Sequence, residues 1–157
     1  MFNLSSEQVH LFFQDVWKKA NTSNVLSPLE VMTFSIMQQH VEFYDLYFQD
    51  TKTALKENFF LNTRKDGYLL EQQHKQADNP YLHLSLHLAV HEQISINQPI
   101  GIVPLFENLV KRLDSVHQAN HEIIFCLIKE IKRAQINTSQ LDSALYLQNI
   151  KQRVDQI

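Results

Sequence analysis

Glycine and proline are scarce in this chain: two glycines and four prolines in 157 residues. Sheet proteins need both residue types at their many reversals, so a chain this poor in turn formers is restricted to a few long helices. Periodicity agrees. Val9, Phe12, Phe13, Val16, Trp17 and Ala20 recur at three- and four-residue spacing, and Ser5 with Gln8 supplies a capping box in front of them. Residues 21–24 are a polar break. Ser27-Pro28-Leu29-Glu30 then combines a cap, a proline in the first turn and an acid, which predicts a second helix running to about His40.

A third helical stretch is expected over about 42–58, with Phe43, Leu46, Tyr47 and Ala54 on one side. From Leu61 to Asp78 the pattern is lost and Gly67 sits in an irregular loop. Asn79-Pro80 is the next start signal and predicts a helix to about Ser95. Residues 97–104 read as a loop, followed by a helix over about 104–113. Ser115, with Gln118 three residues on, caps a helix to about Ala134, and Thr138 or Ser139 caps a last one that buries Leu141, Leu145, Leu147 and Val154. The expectation is an all-α, single-domain helical bundle of about six or seven helices spanning residues 1–157.

Composition narrows the function classes. Hydrophobic residues at 44% and charged residues at 20% suit a packed core rather than disorder. The net charge of −3 is spread along the chain, and the densest basic stretch, Lys129 to Arg133, reads as a solvated helix face, so no nucleic-acid partner is expected. No apolar run approaches the roughly 20 residues that span a bilayer, and the N-terminus lacks the basic start and apolar run of a signal peptide. The expected location is the cytoplasm, without a membrane partner. Cys126 is the lone cysteine, which excludes an intrachain disulfide and a cysteine-rich zinc site; it is read as a packing residue.

Histidine placement carries the chemistry. His83, His87 and His91 are spaced by four residues in one predicted helix, and His117 and His121 by four in another. A separation of four turns a helix through about 40° and rises about 6 Å, so two imidazoles can reach one ion. His83 and His87 share a stripe with Leu86, Val90 and Ile94; His117 and His121 share one with Ile124, Ile128 and Ile131. Buried there without partners, such rings would each cost a few kcal/mol, on the order of 2–7. A hydrogen-bond network or a metal must satisfy them. Both pairs begin their helices, and His40 ends a helix expected to run the opposite way on the stripe of Leu29 and Ile36, so up-and-down topology brings five imidazoles to one level. His91 drifts off the stripe, and His10 and His74 are expected at the surface.

Carboxylates are sparse around this constellation. The Glu-x-x-His pattern of di-iron bundles is missing. Asp114, three residues before His117, is the nearest approximation and also suits a cap. Glu92 points away from His83 on an ideal helix. Glu30 lies on an apolar stripe with Phe34, Met37 and Val41, and either caps with Ser27 or contributes to a second polar spot with Glu92. No phosphate loop, dinucleotide fingerprint, nucleophile elbow or zinc-protease helix is present. The predicted ligands are His40, His83, His87, His117 and His121, with His91, Glu30, Glu92 and Asp114 as secondary candidates. They would hold one or two transition-metal ions, iron or zinc, in a mononuclear site or in a two-metal site like that of hemerythrin-like bundles. Such a site could serve redox or hydrolytic chemistry on a small-molecule or dioxygen ligand. A structural metal or hydrogen-bonded histidine core in an interaction protein, bis-histidine haem, and a homo-oligomeric assembly all stay open.

The run Asn79-Pro80-Tyr81-Leu82-His83-Leu84-Ser85-Leu86-His87-Leu88, continuing through Glu92-Gln93 to Gln98-Pro99 and Gly101, resembles a bacterial family of unknown function, number 1841. Met1-Phe2-Asn3, Pro28-Leu29-Glu30, His40, His117 and His121 extend the likeness over most of the chain. Residues 61–78 are longer than that family's usual connector, and His91 stands where the family often has a carboxylate. The resemblance implies a small bacterial cytoplasmic protein and no particular activity. A three-histidine site from His40, His83 and His87 would also resemble that of the DinB-related metal-dependent bundles.

Overall fold

The structure is a computed structural model that describes residues 6–22, 25–48 and 80–157. The fold is all-α: among the described residues it has six α-helices, one 3-10 helix and no strand. In chain order these are α1 (Ser6–Asn21), α2 (Pro28–Gln39), the 3-10 helix (Val41–Phe48), α3 (Pro80–Ser95), α4 (Ile102–Leu113), α5 (Val116–Ile136) and α6 (Ser143–Gln156). They divide into two compact units, residues 1–88 and residues 89–157, with the division falling inside α3.

In the first unit, α1, α2 and the 3-10 helix pack against one another. Phe13, Val16 and Trp17 bury one face of α1, and the Trp17 ring lies 4.8–5.4 Å from those of Phe34, Tyr44 and Tyr47. Each such aromatic contributes roughly 1.5–3 kcal/mol through burial, which is what holds three short elements together. The start of α2 is the expected capping box: Ser27 Oγ accepts from the Glu30 N–H, and a Glu30 carboxylate oxygen accepts from the Ser27 N–H at 2.7 Å. Ile36 and Met37 are its buried face, while Leu29 and Val41 are largely exposed and fall off the stripes expected for them. The third helical stretch is a 3-10 helix that begins at Val41. Its expected continuation to 58, the loop at 61–78, the Ser5 cap and His74 lie outside the described residues.

In the second unit, α4, α5 and α6 pack on one another. α4 starts at Ile102, two residues before the expected start at Pro104. The first turn of a helix leaves its N–H groups without intrahelical partners, so Pro104 fits inside it without losing a bond. Gly101 precedes it at φ 105°, a left-handed conformation that glycine adopts without a Cβ penalty. The break after α4 is sharp: Asp114 adopts φ 50°, and Ser115 then caps α5 by accepting from the Gln118 N–H.

The last helix corrects the sequence reading. α5 continues to Ile136, and Asn137 is its C-cap, so Thr138 and Ser139 belong to the turn that follows. Asp142, not Thr138 or Ser139, caps α6 by accepting from the Leu145 N–H at 3.0 Å. The inward face therefore rotates to Tyr146, Asn149, Ile150 and Val154; Leu145 and Leu147 are only half-buried, and Leu141, before the helix, is exposed.

Candidate metal centre

The first unit brings together three of the anticipated histidines. His40 ends α2 as its C-cap, while His83 and His87 lie one turn apart on α3. None of the three is more than 1% exposed. The Nε2 atoms of His40 and His83 are 3.2 Å apart, and those of His83 and His87 are 3.1 Å apart. Ring centroids fall within 4.6–5.1 Å of each other, and the His40 ring stacks parallel to Phe43. Phe13, Phe43, Leu84 and Leu88 form part of the apolar core around them.

Proton counting shows what this arrangement needs. His40 Nδ1 is 2.8 Å from the Ile36 carbonyl oxygen, which can only accept, so Nδ1 donates and a neutral His40 turns its Nε2 lone pair toward His83. If His83 Nε2 carries a proton, that one N–H is divided between two acceptors. If it does not, His87 donates to it and the lone pairs of His40 and His83 face each other at 3.2 Å. A cation shared by the three nitrogens would engage every lone pair. The spacing also fits: with bonds of about 2.0–2.1 Å, tetrahedral ligand nitrogens lie about 3.3 Å apart.

The second unit holds His91, His117 and His121. The Ser115 cap places His117 and His121 in the opening turns of α5, half-buried, with ring centroids 4.3 Å apart. Asn120, on the same helix and almost fully buried, places its side-chain nitrogen 3.3 Å from His91 Nε2, so the amide donates and the imidazole accepts. Burial, and then the charge of His117, lower the pKa of His91 below the usual histidine value.

The secondary candidates have other surroundings. Glu30 completes the capping box and pairs with Lys19 at 2.8 Å; the Lys19 hydrogen bond first, then the Ser27 N–H, hold its carboxyl below the usual range. Glu92 is exposed, and Asp114 is an exposed C-cap of α4. His10 departs from expectation: it is fully buried in the first unit, its ring edge-on to Tyr81 at 4.4 Å. It shares the stripe of Phe13 and Trp17 at i+3 and i+7, a signal readable in the sequence.

One buried acid was missed. Glu130 is 1% exposed and accepts from Arg133 and from the Asp142 N–H at 2.6 Å. Arg133 first, opposed by burial and helped by the Asp142 N–H, holds its carboxyl below the usual range. Its position on the Ile123, Leu127, Ala134 stripe, with an arginine three residues on, is the clue the sequence offers. Its role is structural, since it anchors the turn that starts α6.

No helix among the described residues is long and apolar enough to cross a membrane. No curated protein and no solved structure matches the chain. Residues 5–152 match the family described as domain of unknown function 1841 (DUF1841), and at that extent the chain belongs to it.

Proposed function

We propose that this protein binds a transition metal, iron or zinc, through His40, His83 and His87 of the first unit, with His117 and His121 as candidate ligands in the second. The observation that carries the reading is the His40–His83–His87 set: three buried Nε2 atoms spaced at 3.1 and 3.2 Å, near the edge length of a metal's ligand shell. Donor chemistry agrees, since neutral imidazole is a ligand type that suits both iron and zinc. His91 is the secondary ligand best placed by type, whereas Glu30, Glu92 and Asp114 are better accounted for as cap, surface and cap residues.

A nitrogen-only shell with an open position would make a bound ion a Lewis acid or a redox centre for water, dioxygen or a small molecule. The chain's own contribution is to orient the rings and exclude bulk water. The Ile36 carbonyl fixes the His40 tautomer, as outer-shell acceptors do for metal-bound imidazoles, and the apolar core keeps the three rings out of solvent.

A second reading, a hydrogen-bonded histidine core in a non-catalytic interaction protein, draws on the same contacts, which lie within hydrogen-bond reach. Elemental analysis of protein purified without a histidine tag separates the two. About one or two equivalents of iron or zinc are expected; less than about a tenth of an equivalent of any transition metal, after growth with metals supplied, overturns the first reading.

A further inference from the structure

We propose a separate binding site for a small monocarboxylate in the groove between α5 and α6 of the second unit. The groove has a volume of about 230 Å³ and contains no histidine. α5 contributes Phe125, Cys126 and Lys129; α6 contributes Asn149, Gln152, Arg153 and, in its last turn, Gln156. No carboxylate lines it, and its polar side chains are amides, an ammonium and a guanidinium.

The internal bond at the Lys129–Asn149 end leaves donors there for a ligand. The Lys129 ammonium donates to Asn149 Oδ1 at 3.2 Å, which uses one of its three N–H groups and fixes the amide so that its NH₂ is the end left over. Asn149 is only 8% exposed, so this donor is held in place rather than solvated at random. Gln152 adds a second amide. Arg153 donates to Glu122 at 2.6 Å and lies over the Phe125 ring, 5.1 Å from its centroid, so its charge is already compensated and its position set.

Charge selects the ligand class. With Arg153 neutralised by Glu122, the groove carries the single uncompensated charge of Lys129, which matches a monoanion and leaves a dianionic phosphate half unmet. The Cys126 thiol adds none, because burial pushes its pKa up to about 12. Phe125 and Cys126 provide an apolar wall for a short chain or a ring. The Lys129–Asn149 end lies about two turns before the end of α6, beyond the last turn where helix carbonyls repel an anion.

Titration of the full chain with benzoate, followed through backbone amide resonances, tests this. Saturable shifts are expected at Phe125, Lys129 and Gln152. Lys129→Met, at an exposed position that leaves the fold intact by circular dichroism, should weaken binding about tenfold, and Lys129→Arg should largely retain it. Equal binding of neutral benzamide, tighter binding of inorganic phosphate, or no saturable shift with benzoate overturns the proposal. None of these outcomes bears on the histidine site, because the groove has no residue in common with it.

Discussion

Replacing His83 by alanine is the sharpest probe of the histidine centre, because its Nε2 is the atom shared by both short contacts, 3.2 Å to His40 and 3.1 Å to His87. The three nitrogens need to open by only a few tenths of an ångström to reach the roughly 3.3 Å edge of a tetrahedral shell, so little reorganisation opposes binding. An ion that binds the folded chain and not the unfolded one stabilises it by about 2.7 kcal/mol at a hundred times its dissociation constant. For a chain of this length each kcal/mol moves the melting temperature by about 2–4 °C, so the wild-type protein should gain roughly 5–11 °C with saturating zinc. Differential scanning calorimetry of metal-stripped protein, with and without zinc, measures this directly. His83→Ala lowers the apo melting temperature by opening a cavity, so the informative quantity is each variant's own response to zinc. That response should fall below about 1 °C in His83→Ala and in His87→Ala. A wild-type response in both variants would refute the assignment of these rings as ligands, whatever the elemental content of the purified protein.

Two structural predictions follow from the second unit. Glu130→Gln should destabilise the protein by about 1–3 kcal/mol at pH 7, since it removes the charge from several buried hydrogen bonds. Because Glu130's folded pKa lies below its unfolded value, the contribution is complete above the unfolded pKa and is lost as pH falls through the folded one; urea denaturation should show the wild-type advantage shrinking in acid. Cys126, buried and with its thiol pushed up to about 12, should resist a thiol reagent at pH 8 in the native protein and react fully in urea; rapid native labelling would contradict its packing.

Local signals made much of this architecture legible. Ser27-Pro28-Leu29-Glu30 encodes a cap whose partners all lie within four residues, and α3 begins at Pro80, where the sequence predicts its start. The four-residue spacing of His83 and His87 on an inward stripe likewise requires their proximity once a helix forms. What the sequence hid depends on distant partners. Thr138 and Ser139 are good caps by type, yet Glu130, twelve residues before Asp142, holds the Asp142 N–H and sets the start of α6 there. His10 looked like a surface residue because histidine is polar, although its spacing to Phe13 and Trp17 already placed it inward.

The tether between the His40 ring and the Ile36 carbonyl makes the end of α2 part of the donor set. Fraying of that final turn would release the carbonyl, let the imidazole rotate, and withdraw one nitrogen from the other two. An ion bound there would be held only while residues 36–40 stay wound, so a contact that loosens that turn would act as a release catch.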